Sequence, residues 1–312
     1  MDDHIQLPES NQLEFFIEQA RLAPAIETVV VHPTEGNALA GALEAAKQGL
    51  IIPILVGPEV KIRLAATAIG ESLENVKIIN TEHSHEAAEV ACNLVKQGHA
   101  RALMKGSLNT SELLSAVLNK ETGIRTARRL SHLFVLDVPN YHKPLIITDA
   151  AINITPDLNT KRDIIQNAID FAHALGNKTP KVAVLAAVET VKANMQSTLD
   201  AAALCKMADR GQITGAIIDG PLAFDNAISS QAAIDKHIVS AVSGEADILL
   251  APDLEAGNMM AKQLIYLAGA ASAGIAVGSK VPIILNSRAD SITARLASCA
   301  LASYRVHHGQ PI

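Results

Sequence analysis

Short apolar runs rich in Val, Ile and Leu alternate along the chain with longer segments whose apolar residues recur at helical spacing. Most of the runs are apolar at every position, which is typical of strands that helices cover on both faces. The runs predict strands at residues 28–32, 51–57, 76–80, 100–106, 132–138, 144–150, 181–187, 215–220, 246–252 and 281–286. The helical pattern predicts helices at residues 37–48, 59–69, 84–97, 111–118, 158–174, 196–210, 228–243, 257–270 and 289–304.

This βα alternation predicts an α/β fold with mainly parallel sheets. Asp157 and Ser84 are predicted to cap helices at their N-termini, because short polar side chains can accept the free backbone N–H groups there. Gly49, Gly98 and Gly211 are placed where helices should end.

One pair of predicted strands departs from the alternation of strands and helices. Only "PNYHKP" separates "HLFVLDV" from "PLIITDA", which is too short for a crossover helix, so the pair is predicted to form an antiparallel hairpin. We take this hairpin as the domain boundary. The prediction is one α/β domain of residues 1–150 plus 283–312, and a second of residues 151–282.

Composition narrows the class of protein. Apolar residues make up 49% of the 312 residues and the net charge is −6 without a basic cluster, which disfavours nucleic acid as a partner. The longest apolar runs are far shorter than the roughly 20 residues needed to span a bilayer. The N-terminus lacks the pattern of a signal peptide. Three widely spaced cysteines indicate a reducing, cytoplasmic setting.

Polar residues directly after strands are the first candidates for chemistry, because ligands of parallel α/β sheets bind at the carboxyl ends of the strands. In "MKGSLNTSELL" a lysine and several hydroxyls precede a helix start, where backbone N–H groups favour an anion. The alternative for this stretch is ordinary helix capping. The candidates here are Lys105, Gly106, Ser107, Asn109 and Thr110. Asp149 and Asn153 also follow a predicted strand.

A second candidate is "VPIILNSRAD", where Ser287, Arg288 and Asp290 follow a buried strand. Arginine offers a rigid fork of donors that suits phosphate or carboxylate and can stabilise an oxygen on which charge develops. Two structural alternatives stand beside this interpretation. Arg288 could pair with a local carboxylate, and Asp290 could simply start the last helix.

Common cofactor and metal motifs are missing from the sequence. No GxGxxG follows a predicted strand, which disfavours a dinucleotide site, and "HSHEAAE" lacks the HExxH zinc pattern. The sequence therefore predicts neither a metal nor a nicotinamide cofactor.

Several of these motifs together resemble the phosphate acetyltransferase and phosphate butyryltransferase family, over nearly the whole chain. They are "LMKGSLNTSELLSAVLNKETGIRT", "RRLSHLFVLDVP", "PLIITDAAINITPDLNTKRDIIQNAI" and "ILNSRADSITARLASCALA". Within the family, "GIRTARRLSH" and "TDAAINITPDL" are closer to the butyryltransferase branch.

The resemblance implies two α/β/α domains similar in fold to isocitrate and isopropylmalate dehydrogenases, an active site in the interdomain cleft, and a homodimer or larger homo-oligomer. It implies the reaction acyl-CoA + phosphate ⇌ acyl phosphate + CoA, with no metal or nicotinamide cofactor. The family's serine–arginine pair corresponds to Ser287 and Arg288, and its aspartate role is carried to Asp290. An arginine that the acetyltransferases have after the "MKG"-like loop is missing, and Arg125 or Arg128 is the expected substitute.

Two alternatives accompany this hypothesis. One is a metal-dependent, NAD(P)-linked decarboxylating dehydrogenase of the same fold, but Asp219, Asp225 and Asp253 are scattered and no arginine cluster is present. The other is a protein that binds acyl-CoA without catalysis. Substrate turnover distinguishes it from the enzyme.

Overall fold

The structure is a computed structural model that describes residues 12–287 and 289–310. Within them the strands are β1 Ile26–Val31, β2 Ile51–Gly57, β3 Lys77–Asn80, β4 Ala102–Lys105, β5 Ser131–Asp137, β6 Leu145–Thr148, β7 Lys181–Leu185, β8 Ile217–Leu222, β9 Ile248–Leu250, β10 Ala271–Val277 and β11 Ile283–Ile284. The helices are α1 Gln12–Ala20, α2 Gly36–Lys47, α3 Glu59–Ala68, α4 Ser84–Lys96, α5 Thr110–Leu118, α6 Leu158–Ala174, α7 Gln196–Asp209, α8 Phe224–Ile228, α9 Ser230–Asp235, α10 Leu254–Tyr266 and α11 Ile292–His308. The α/β fold class is confirmed.

The chain forms two compact units, here called unit A and unit B. Among the described residues, unit A contains Phe16–Leu130 with residues 273–287 and 289–310, and unit B contains residues 12–15 with Ser131–Ser272. The sequence analysis placed the domain boundaries after residues 150 and 282. In the structure the hairpin strand β6 pairs with β9, so the hairpin belongs to unit B. The predicted assignment of domains stays a prediction.

In unit A the strand order is β3-β2-β1-β4-β11-β10. β1 is parallel to β2 and to β4, and β11 is parallel to β4 with Ile284 opposite Met104. β10 runs antiparallel to β11. The carboxyl ends of β1, β4 and β11 therefore meet at one edge of this sheet, as the site prediction requires.

In unit B the strand order is β5-β6-β9-β7-β8. β5 and β6 form the antiparallel hairpin predicted from the short connection, with Val135 opposite Ile146. The remaining neighbours are parallel. The strands of both units are built largely from buried Ala, Val, Ile and Leu, as expected for a chain with no Trp and only 3% aromatic residues.

Two elements differ from the sequence prediction. β10, "ASAGIAV", was not predicted, because its Ala and Gly residues give a weak strand signal and continue the small-residue pattern of the preceding helix. In place of the predicted helix at 228–243, the structure has the end of α8 at Ile228, the short helix α9 and then a loop. Ser229 has an extended backbone and caps α9, and His237 takes a positive φ of 55°, so a single helix cannot run through this segment.

The helix ends follow capping chemistry. The Asp157 carboxylate accepts the backbone N–H of Thr160 at 2.7 Å, which confirms the predicted cap of α6. The prediction for Ser84 is wrong, because His83 is the N-cap of α4 and its Nδ1 accepts the N–H of Glu86. Within residues 12–287 and 289–310, no helix combines the length and the apolar character needed to cross a bilayer.

Candidate active site

The carboxyl end of β4 carries Lys105 and Gly106 into close contact with the end of β1. The backbone nitrogens of Gly106 and Ser107 donate to the carbonyl oxygens of Val31 and His32, each at 2.9 Å. A Cβ atom on Gly106 would lie only 2.2 Å from the Val31 oxygen, so only glycine fits. Lys105 is 7% exposed, and its Nζ donates to the Gly106 oxygen at 3.3 Å.

The start of α2 faces this loop. The Ser107 hydroxyl accepts the backbone N–H of Glu35 at 2.9 Å, and Glu35 is the N-cap of α2 without a side-chain capping bond. The N–H groups of the first helical turn have no acceptor within the helix and carry partial positive charge. Gly36, Asn37 and Ala38 supply these groups.

The loop after β11 carries the second set of predicted residues. Asp290 Oδ2 accepts the backbone N–H of Ser287 at 2.8 Å and the Asn286 Nδ2 at 3.2 Å. The N-cap of α11 is Ser291, whose hydroxyl accepts the Ala294 N–H at 3.1 Å. Asp290 therefore closes the loop that presents Ser287 and is not the helix cap.

Arg295 lies in the first turns of α11 and is only 3% exposed. Its Nη2 donates to the Ser287 carbonyl oxygen at 2.9 Å. Burial lowers the pKa of Arg295, and the negative charge of Asp290 opposes part of that shift. Gly41 of α2 makes room for it, since a Cβ there would lie 2.4 Å from the Arg295 Cδ.

These elements enclose one cavity of about 290 Å³ in unit A. It brings Ser287 together with Lys105 and Gly106, because these residues follow the neighbouring parallel strands β11 and β4. Its lining residues are Glu35, Gly36, Asn37, Ala38, Lys105, Gly106, Asn286, Ser287 and Arg295. Two buried cations and a helix N-terminus make this cavity suitable for an anion.

Other predicted residues of unit A lie elsewhere. Asn109 is the exposed N-cap of α5 and its side chain donates to Glu112 at 3.3 Å, and Thr110 begins that helix. Neither is among the described residues that line the cavity. Arg125 is exposed and its backbone bridges Ser279, which precedes β11, whereas Ser287 follows it. Arg125 and Ser287 are thus placed at opposite ends of β11.

Asp149 and Asn153 belong to unit B, after β6. The Asp149 carboxylate accepts the backbone N–H groups of Ala151, Ile152 and Asn153 at 2.9–3.1 Å, and the Asn153 Nδ2 at 2.6 Å. Asp149 thus organises its own loop, and both of its oxygens are engaged there.

Arg288 lies outside the described residues, so its predicted role is carried by sequence alone. In the part of the chain that the structure describes, no group of three or more His, Cys, Asp and Glu side chains is placed to hold a metal ion.

Two parts of the cavity wall were not predicted from the sequence. Arg295 and the first turn of α2 line the cavity, yet neither follows a strand directly in the pattern used to select candidates. The sequence signal for Arg295 would have been a charged residue on a helix face that is otherwise predicted to be buried.

Comparison with known proteins gives consistent matches. Residues 81–303 match the family described as "Phosphate acetyl/butaryl transferase". A phosphate acetyltransferase from Rickettsia felis (strain ATCC VR-1525 / URRWXCal2) is 57% identical over 284 residues, covering 91% of this chain and 81% of that protein. A probable phosphate butyryltransferase from Bacillus subtilis (strain 168) is 45% identical over 276 residues, covering 88% of this chain and 92% of that protein.

A crystal structure of a branched-chain phosphotransacylase from Enterococcus faecalis V583 superimposes with a TM-score of 0.78 at 30% identity, covering 91% of this chain and 100% of that chain. Of the two sequence relatives, the one named acetyltransferase is the more similar, whereas the "GIRTARRLSH" and "TDAAINITPDL" motifs had favoured the butyryltransferase branch.

Proposed function

Since this chain belongs to the phosphate acetyl/butyryl transferase family, we propose that it catalyses the reversible reaction acyl-CoA + phosphate ⇌ acyl phosphate + CoA at the cavity of unit A. The chain is an acyltransferase with coenzyme A as substrate or product. The observation that supports this location is the cavity itself, which Ser287 shares with Lys105 and the first turn of α2.

The chemistry begins with attack of a phosphate oxygen on the thioester carbonyl carbon. Negative charge then develops on the carbonyl oxygen of the tetrahedral intermediate, where Ser287 and Arg288 donate hydrogen bonds. One such donor is typically worth about 3–4 kcal/mol of transition-state stabilisation. Collapse of the intermediate breaks the C–S bond and gives acyl phosphate and the CoA thiolate.

Asp290 takes the role of proton acceptor from the CoA thiol in the reverse direction, and returns a proton to the thiolate in the forward direction. Its Oδ2 already holds the Ser287 loop. Among residues that the structure describes, no donor reaches Oδ1, which is the oxygen we assign to proton transfer.

The anionic parts of the substrates interact with the other candidate residues. Lys105, Gly106 and Ser107 at the end of β4 hold phosphate or an anionic part of CoA, next to Ser287. Asn109, Thr110, Arg125, Asp149 and Asn153 remain proposed substrate contacts from the sequence. For Arg125 and Asp149, the contacts described above support this role less than a structural one.

The acyl group is short: acetyl, butyryl or branched. The 57% identity to an acetyltransferase and the 45% identity to a probable butyryltransferase support this range. Sequence does not choose within it, because one methylene in an apolar pocket changes binding by only about 1–3 kcal/mol.

The reaction transfers an acyl group without oxidation or reduction, so it needs no nicotinamide cofactor, and from the family resemblance we also propose that no metal takes part. We further propose the isocitrate dehydrogenase-like arrangement of two α/β/α domains, a homodimer or larger homo-oligomer, and a cytoplasmic location. The reducing setting implied by three unpaired cysteines supports the last of these.

The direct test mixes the protein with inorganic phosphate and a panel of acyl-CoAs from acetyl to isovaleryl, and follows CoA release with a thiol reagent. We expect phosphate-dependent release with at least one member, and the relative kcat/KM values give the acyl preference. Absence of release across the panel would refute the proposed reaction and favour binding without catalysis.

A further inference from the structure

Arg295 is an unusual side chain of unit A, because it carries a full charge at 3% exposure. A guanidinium presents a rigid fork of several N–H donors. Among the residues that the structure describes, Arg295 makes one side-chain hydrogen bond, to the Ser287 carbonyl oxygen, and no carboxylate oxygen lies within 4.0 Å of it. The remaining donors belong to a side chain that lines the cavity.

A buried charge without a paired counter-ion is strongly unfavourable. Asp290 compensates part of it by its electrostatic effect on Arg295, but that carboxylate is held by Ser287 and Asn286. Lys105 adds a second cation at 7% exposure, and the first turn of α2 adds the positive end of a helix. The carboxylate among the lining residues is that of Glu35, which is exposed.

We propose that Arg295, together with Lys105 and the backbone N–H groups of the first turn of α2, binds a phosphoryl dianion in this cavity. The inference rests on the proposed function and deepens it by naming a binding residue beyond those that the sequence indicated. The dianion is either inorganic phosphate, with its product acyl phosphate, or the 3′-phosphate of CoA.

Two features favour a binding role over a purely structural one. The Ser287 carbonyl needs only one donor, which a lysine or glutamine side chain could supply, whereas arginine brings a fork that matches tetrahedral oxyanions. Gly41 has no Cβ atom, and the Arg295 side chain occupies the space that one would fill. The full-length arginine therefore fits against α2, beside the N–H groups that would share the ligand.

Steady-state kinetics of Arg295→Gln and Arg295→Lys test the proposal. We expect Arg295→Gln to raise the KM for one phosphate-bearing substrate about tenfold or more, and Arg295→Lys, which keeps the charge but not the fork, to raise it less. A rise for inorganic phosphate identifies that ligand. A rise for acyl-CoA that disappears with the 3′-dephospho analogue identifies the CoA phosphate.

The matched control is Arg63→Gln, which removes one positive charge from an exposed arginine paired with Glu59, and should leave every KM unchanged. Unaltered KM values for all substrates in both Arg295 variants, with activity otherwise present, would overturn the proposal without touching the proposed reaction. Absence of activity in the unmodified protein would instead contradict the reaction itself.

A second measurement uses only the unmodified protein, so it can be made even if Arg295→Gln does not fold. Hydrogen exchange of the peptide that covers Gly36, Asn37 and Ala38 is followed in the unmodified protein with inorganic phosphate, CoA or 3′-dephospho-CoA, each about tenfold above its KM. The reference for each exchange rate is the protein in chloride of equal ionic strength. We expect exchange to slow either with phosphate, or with CoA but not with 3′-dephospho-CoA. Unchanged exchange with all three ligands would overturn the proposed site.

Discussion

The Oδ2 oxygen of Asp290 lies 2.8 Å from the backbone nitrogen of Ser287, so the proposed base also holds the loop that presents the proposed catalytic serine. The same oxygen accepts the Asn286 amide, and Ser291 rather than Asp290 caps the following helix. One side chain thus combines a structural contact through Oδ2 with a chemical role proposed for Oδ1, and substitution can separate the two.

Asp290→Asn should lower kcat about 10²- to 10⁴-fold, because it removes the proton acceptor while its amide oxygen can still accept the Ser287 N–H. The thermal midpoint should stay close to that of the unmodified protein. Asp290→Ala removes both functions and is expected to lose stability as well as activity, since the Ser287 N–H then lacks its acceptor. Turnover in Asp290→Asn equal to that of the unmodified protein would leave Asp290 with the structural contact alone.

Arg288→Ala should lower kcat/KM about 10²-fold or more, because a donor to the developing oxyanion acts mainly in the transition state. Initial rates with acyl-CoA and phosphate, together with circular dichroism for the fold, check this. Arg63→Ala is the matched control, because it removes an exposed arginine whose partner is Glu59 and should retain activity. Equal rates for the two variants would remove Arg288 from the mechanism.

Gly106→Ala should destabilise the protein by about 2–4 kcal/mol and abolish activity, because the new Cβ would stand 2.2 Å from the Val31 carbonyl oxygen, which is backbone and cannot move aside. Gly49→Ala gives the comparison. Gly49 has open space around it and a φ of +73°, so alanine there should lose only about 1 kcal/mol through backbone strain. Urea unfolding of both variants measures the difference, and equal losses would contradict the steric argument.

The α/β class and the hairpin were predictable because they depend on local periodicity and connection length, as Val135 opposite Ile146 shows. The positions of Ser287 and Lys105 directly after strands were also predictable, but their meeting depends on the pairing of β11 with β4, which the sequence did not predict. β10 was not predictable, because its Ala and Gly residues form a strand through sheet contacts that the sequence does not display.

Some residues that line the cavity also could not be predicted from the sequence alone. Arg295 lies in a helix, eight residues after Ser287, and only the fold turns its side chain back to the Ser287 carbonyl. Likewise the sequence favoured the start of α5 as the anion site, whereas the start of α2 lines the cavity. The helix that faces a ligand depends on tertiary packing, which sequence periodicity does not specify.

Lys161 and Asp200 form a buried ion pair in unit B, with 2.7 Å between Nζ and Oδ2 and side chains 6% and 9% exposed. Lys161→Met leaves the aspartate charge buried and should destabilise the protein by about 3–5 kcal/mol. The double variant Lys161→Met with Asp200→Leu removes both charges and should recover most of that loss. Urea unfolding of the three proteins tests the cycle, and a double variant no more stable than Lys161→Met would contradict this account.

The three cysteines should react slowly with thiol reagents in the native protein, which also keeps the background of the CoA-release assay low. Burial raises the pKa of Cys92 and Cys205 to about 11 and that of Cys299 to about 12. At pH 8 the thiolate fraction should therefore be on the order of a hundredfold below that of a free thiol for Cys92 and Cys205, and on the order of a thousandfold below it for Cys299. These fractions should grow as pH rises toward 11. Reagent uptake by native and urea-unfolded protein measures this.

In the unfolded protein all 3 cysteine thiols should react rapidly with the reagent. Mass spectrometry of the native protein during the reaction identifies the cysteine that reacts first. Cys205 is the one expected to lead, because it is partly exposed whereas Cys92 and Cys299 are buried. A native cysteine that reacts at pH 8 as fast as free thiol would contradict the burial argument. Because such a cysteine would consume reagent without phosphate, the phosphate-free reaction distinguishes its signal from CoA release.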